Sequence, residues 1–307
     1  METVFICVKA GNMRRLLISL VGVVLTLSAC GSPPDHGGTV DVVASTAVWG
    51  SVASAVGGEY IRVRSIIDNP AEDPHSYDAS PADAAAIADA QLVVYNGGDY
   101  DHFVDAVLDQ HEAVTRVDAF TVGGHQPGSN PHVFYDLDTV SAVATAIADQ
   151  LAAIDPPHTA DYKTNAQRYA AQIRGLVDAE RGIAASNPGT SAIATEDIAH
   201  YLEAATGISD KTPAGYYKSV EADADPSPAD IAAVLDLVNS HAVQVLFFNP
   251  QTDTPVTHRV VDAANSAGVP VVLVRETMSA GTDFLTWQRQ TIDALSDALR
   301  RTDSHTS

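Results

Sequence analysis

Between Asp155-Pro156-Pro157 and Asn187-Pro188-Gly189 the chain carries one long amphipathic stretch, and that stretch limits what the remainder can become. Tyr162, Ala166, Tyr169, Ile173, Leu176, Ala179 and Ile183 recur at spacings of three and four, which places them on one face of a helix. Prolines stand at both ends and stop the helix from running on into its neighbours. At about 1.5 Å per residue such a helix is ~40 Å long, enough to run the height of a medium-sized molecule. It divides the chain into two halves and joins them stiffly.

Each half alternates short apolar runs with helical ones. In the first, residues 40–44, 60–67, 92–95 and 113–117 read as strands, with helices over 48–56, 81–90 and 102–107. Ser80-Pro81 supplies a cap followed by proline at the first helical position. In the second, strands at 192–194, 243–248 and 271–274 separate helices over 197–205, 228–238, 255–266 and 284–299. This alternation predicts an α/β protein of two lobes, each a mostly parallel sheet flanked by helices, joined by one long rigid helix. The expected divisions are an N-terminal lobe at 39–158, the linking helix at 159–186 and a C-terminal lobe at 187–307. The halves share a pattern of elements without a clear sequence repeat.

Ahead of the lobes, Arg14 and Arg15 precede a short apolar run at residues 16–27. Leu27-Ser28-Ala29-Cys30 then places small residues before a cysteine, as at a lipoprotein processing site. The run is shorter than the ~20 residues that span a bilayer. Residues 1–29 are therefore expected to be a signal peptide, Cys30 the lipidation site, and residues 30–38 a flexible tether rich in glycine and proline. The protein would be extracytoplasmic, anchored to the cell membrane by a lipid on Cys30. The other cysteine, Cys7, leaves with the signal, so neither a disulfide nor a thiolate ligand is expected. Processing also removes Glu2, Lys9, Arg14 and Arg15 and moves the formal charge from −22 to −24. A balance this acidic argues against nucleic acid and anionic membrane surfaces as partners.

Two loops stand out chemically. Asn69-Pro70-Ala71-Glu72-Asp73-Pro74-His75 and Asn130-Pro131-His132 each set a histidine directly after a proline, in a loop that follows a strand region. Each alone reads as an ordinary surface histidine. As a pair at the carboxyl ends of strands in one sheet, where ligands of such sheets bind, they are candidate metal ligands. Tyr77 is placed to pack against or hydrogen-bond near the His75 ring. In the second half Glu196 and Glu276 end strands. Glu196 or Asp197 can instead cap the helix that follows, and Glu276 can be an exposed acid paired with Arg275. Two carboxylates facing two neutral imidazoles would balance a divalent ion.

With these loops the chain resembles the cluster 9 metal-binding lipoproteins of ATP-binding-cassette (ABC) transporters, solute-binding receptors for zinc and manganese. The Asn-Pro…Asp-Pro-His-x-Tyr pattern stands at Asn69 to Tyr77, and the x-Pro-His-x-aromatic loop at Asn130 to Phe134. Thr195-Glu196-Asp197 follows the glutamate form of the third ligand position. The resemblance implies metal ligands at His75, His132, Glu196 and Glu276, and a bound transported ion, Zn2+ or Mn2+ with Fe2+ third. It also implies an ABC permease and its ATPase as partners, and capture and delivery rather than enzymatic turnover. A monomer is expected.

Three departures stand out. Glu276 replaces the usual aspartate, Asn249-Pro250-Gln251 stands where many relatives carry a glutamate, and His125 is alone where some carry a histidine-rich loop. His125 is at most a weak accessory group. Carboxylate ligands suit manganese, whereas intrinsic affinity rises from manganese to zinc.

Two rival readings come from other classes. A secreted metallohydrolase would need an open coordination position and a general base, with Glu72 or Asp73 nearest to that role. The chain has no His-Glu-x-x-His, no Gly-x-Ser-x-Gly and no phosphate-binding glycine loop. A metal-stabilised adhesin or envelope lipoprotein is the other alternative.

Overall fold

The computed structural model describes residues 39–222, 224–279 and 281–305; the expected signal peptide, tether and Cys30 lie outside the described residues. The first half comprises β1 (Val40–Thr46), α1 (Ala47–Gly57), β2 (Ile61–Ile67), α2 (Pro81–Asp89), β3 (Leu92–Tyr95), α3 (His102–Leu108), β4 (Arg116–Asp118), α4 (Ala119–Val122) and α5 (Leu137–Ile154). The long helix is α6 (Thr159–Ser186), of 28 residues. There follow β5 (Ser191–Ala194), α7 (His200–Thr206), β6 (Ser209–Asp210), α8 (Ala214–Val220), α9 (Pro228–Asn239), β7 (Val245–Phe248), α10 (Pro255–Ala267), β8 (Val271–Leu273) and α11 (Phe284–His305).

The strands form two sheets ordered β2-β1-β3-β4 and β6-β5-β7-β8, and every pairing is parallel. The same order thus occurs twice in a chain whose halves share no visible sequence repeat. In each sheet the chain steps outward from its first strand and then returns to the other side. The resulting switch points lie between β1 and β3 and between β5 and β7, where parallel sheets open a crevice at their carboxyl ends.

Alternation along the strands builds three apolar layers. Val42 and Ala44 face one core while Val43, between them, joins Ile67, Val93 and Phe103 on the outer face. In the second sheet Ala192, Ala194, Val245 and Phe247 belong to that first core, whereas Ile193 and Leu246 meet Val234, Val238 and Val260. A single core therefore continues beneath both sheets. Helix α6 lies along it, packed on α1 and α5 in one direction and on α7 and α11 in the other. Six of the seven predicted positions on its face are buried, and burying each large apolar side chain contributes about 1.5–3 kcal/mol.

Local signals decide the helix starts. Ser80 and Asp83 form a reciprocal capping box with Pro81 at the first position of α2, and Ser227 accepts the N–H of Asp230 to cap α9. Some elements differ from expectation. The fourth strand is displaced to Arg116–Asp118 because residues 111–114 close a turn through Val114 N–H and His111 O, 3.0 Å apart. The helix expected from residue 197 begins with a 3-10 turn, Asp197–Ala199, whose preceding residue Glu196 makes no side-chain cap. Asp197 lies instead beside His200 Nδ1, 3.5 Å away.

Candidate metal centre

The loops leaving β2, β4, β5 and β8 converge at the carboxyl ends of the two sheets. In the first, Asp73 Oδ1 accepts the His75 N–H at 2.9 Å and caps a 3-10 turn over Pro74–Ser76, which turns the imidazole inward. Tyr77 does not pair with this ring; its hydroxyl donates to Asp83 and its ring packs on Phe103. The aromatic ring set edge-on to His75, 4.8 Å between centroids, is the wholly buried Tyr100.

His132 is held by its own loop. Asn130 Oδ1 accepts both the backbone N–H and the Nδ1–H of His132, at 2.9 and 3.0 Å. The proton therefore sits on Nδ1, and the Nε2 lone pair points at His75 and Glu276. Asn96, at the end of β3, donates to Pro131 O at 2.8 Å and fixes the loop to the first sheet.

Glu276 is a buried acid rather than an exposed partner of Arg275. Its backbone N–H donates to Gln251 Oε1 at 2.8 Å, and its carbonyl accepts from Tyr100 OH at 3.2 Å. His75 Nε2 stands 3.4 Å from His132 Nε2 and 3.7 Å from Glu276 Oε2, and His132 Nε2 stands 3.9 Å from Glu276 Oε1. These three residues offer ligand atoms within 4.8 Å of one another, and Glu276 Oε2 is buried with no hydrogen-bond partner among the described residues. A carboxylate oxygen shut away from water in this manner is costly unless a cation meets it.

Glu196, also buried, lines the same cavity of about 140 Å3 but stands outside that trio. Its Oε2 accepts a short hydrogen bond from Asn249 Nδ2. Asp73 and Glu221 complete the acidic side of the lining. His125 is not in it: its Nε2 bonds Thr139 Oγ1 at 2.9 Å beside Asp136, so it belongs to a structural cluster rather than to an accessory ligand site.

Burial governs the charges of the cavity. Burial pushes Glu276 well above the ordinary carboxyl range, with the Glu196 charge adding to it. Burial raises Glu196 to about 7 against the opposing hydrogen bond from Asn249. Burial lowers His75, and lowers His132 much further with His75 adding. Burial thus works against the charged form of all four groups, and a dication would supply the charge that draws out the carboxylates. Two imidazole nitrogens and a carboxylate at these separations can share one ion held roughly 2 Å from each.

Sequence reasoning missed Asn130, Tyr100 and Gln251 as supports. One signal for the first and last was present. Asn-Pro recurs at 69, 130 and 249, and each asparagine accepts the N–H two residues on, from Ala71, His132 and Gln251.

Two parallel sheets with a donor cluster enclosed between their loops define a two-lobed solute receptor. The chain belongs to the ZnuA family, the zinc-uptake complex component A periplasmic, whose profile matches residues 42–298. Members of this family are substrate-binding transport proteins rather than enzymes, and membership implies a membrane permease with its ATPase as partner. The chain is 24% identical over 262 residues to the metal ABC transporter substrate-binding lipoprotein FimA of Streptococcus parasanguinis, covering 79% of this chain and 83% of that one. It is 23% identical over 278 residues to the manganese-binding lipoprotein MntA of Bacillus subtilis, covering 85% and 89%. The fold is shared with the periplasmic zinc binding protein TroA from Treponema pallidum, with a TM-score of 0.71 at 20% identity over 85% of this chain and 99% of that one.

Proposed function

We propose that this protein captures Zn2+ or Mn2+ through His75, His132 and Glu276, with Glu196 as fourth ligand, and delivers the ion to its permease while tethered outside the cell by a lipid on Cys30. The observation that carries the reading is the convergence of half-buried His75 with buried His132 and Glu276, in which one carboxylate oxygen has no hydrogen-bond partner among the described residues. The named metals of similar receptors, manganese for MntA and zinc for TroA, agree with a mixed nitrogen and oxygen donor set. The protein acts as a monomer in this reading, since all proposed ligands come from one chain.

The test is metal analysis of protein purified without added metal, followed by competition between zinc and manganese. One ion per chain, lost on His132→Ala, is the expected result. A protein that retains stoichiometric metal after both His75→Ala and His132→Ala would overturn the assignment. Labelling with radioactive palmitate, abolished by Cys30→Ala, checks the anchor.

A further inference from the structure

Asn249 directly follows β7 and is almost wholly buried. Its Oδ1 accepts the Gln251 N–H at 2.9 Å, which settles the orientation of the amide and leaves Nδ2 to donate to Glu196 Oε2. Its backbone N–H donates to Thr195 Oγ1 at 3.0 Å, tying the loop to β5. Gln251 continues the network: its Oε1 accepts from Glu276 N–H, and its Nε2 donates to Thr277 Oγ1 at 3.0 Å and to Glu72 O at 3.3 Å. One loop therefore grips both acids of the second lobe and touches the loop that carries His75.

We propose that Asn249 sets the metal preference of the site by withholding Glu196 Oε2 from the ion, an inference that rests on the metal-receptor reading above. With Oε2 engaged, Glu196 has Oε1 alone to give. Glu276 Oε2 has no hydrogen-bond partner among the described residues, and the two Glu276 oxygens lie 3.7 Å from His75 Nε2 and 3.9 Å from His132 Nε2. Glu196 stands outside the trio in this structure; with Glu276 chelating and Glu196 swung onto the ion through its free Oε1, the protein would offer two imidazole nitrogens, two Glu276 oxygens and one Glu196 oxygen. That suffices for the four- or five-coordinate shell of zinc. It is one donor short of the octahedral, oxygen-rich shell that manganese favours. Manganese must draw a water into the cavity or pull Glu196 away from Asn249, and either lowers its affinity relative to zinc. Asn249 is thus a positioning residue: ligand type favours manganese, and the aim of one carboxylate turns the balance toward zinc.

The experiment compares the unaltered protein with Asn249→Ala and with the near-isosteric, non-donating Asn249→Leu, each stripped of metal and titrated with Zn2+ and Mn2+ in competition with a chelator. The coordination number of the manganese-loaded forms is read by X-ray absorption. Both variants should bring the two dissociation constants closer by about tenfold or more, the scale on which supports of metal ligands act. The manganese shell should exchange a water for the second Glu196 oxygen. Melting temperature checks the fold, and the leucine variant serves where the smaller alanine does not fold. An unchanged zinc-to-manganese ratio in a folded variant overturns the inference alone. Absence of binding by the unaltered protein overturns the metal-receptor reading and this inference with it.

Discussion

Asn130 grips His132 twice, through the backbone N–H and through Nδ1–H, with a single side-chain oxygen. The same asparagine donates from Nδ2 to Asp197 O at 2.6 Å, so the residue that aims the imidazole also joins the two lobes. Asn130→Ala should weaken metal binding about 10- to 100-fold, the usual penalty for removing the support of a ligating histidine. Asn130→Asp keeps the acceptor for Nδ1–H and replaces the bond to Asp197 O by an unfavourable contact between two oxygens. It should recover most of the affinity in a chelator competition, and a variant as weak as the alanine form would show that the interlobe bond matters more than the imidazole.

The protons that leave on loading should come from carboxyl groups. Burial already holds both histidines below their ordinary range, so at neutral pH they enter the site deprotonated. Burial raises Glu196 to about 7 and holds Glu276 well above its ordinary range, so the protons these carboxyls keep should leave as the cation arrives. Affinity should therefore fall as pH drops through 7, by about tenfold per pH unit for each proton displaced. Calorimetry in buffers of different ionisation enthalpy counts those protons, and Glu196→Gln should release fewer.

Residues next to the proposed ligands in sequence are not thereby part of the site. Asp197 and His200 form their own partly exposed pair at 3.5 Å. Asp197→Ala and His200→Ala should leave metal affinity within about twofold, because exposed ion pairs contribute little. His75→Ala should abolish tight binding in the same titration.

Two acids away from the proposed ligands should shape stability. Burial raises Glu203 to about 9 and Glu180 to about 8 from an ordinary value of 4.5. Between 4.5 and those values the unfolded chain has given up protons that the folded chain keeps, so stability falls as pH rises. The decline should level off only above about pH 9. Urea midpoints of the metal-free protein at pH 5, 7 and 9 measure it, and Glu203→Gln should flatten the decline.

Much of this architecture was legible because its signals are local. The face of α6, the Ser80-Pro81 start of α2 and the apolar runs of β3 and β7 each follow from a few neighbouring residues. Both histidines stood out in the sequence because proline-bounded loops after strands advertise them, and the structure brings them within 3.4 Å of each other. The failures share a cause, which is dependence on distant partners. Tyr77 has the spacing to attend His75, yet Asp83 takes its hydroxyl and Tyr100 takes the place beside the imidazole. Strand β6 is two residues long and exists only through pairing with β5, and Glu196 reads as a cap until Asn249 claims it.

The apolar core passes beneath both sheets, and the chain returns across it at the end: Phe284 N–H, at the start of α11, donates to Ser51 Oγ of α1 at 2.9 Å. Neither half carries a complete interior of its own. A fragment cut after α6 would display a broad greasy wall to solvent, and shortening the last helix would loosen residues more than two hundred positions away. Heating should accordingly melt the molecule in one cooperative step rather than lobe by lobe.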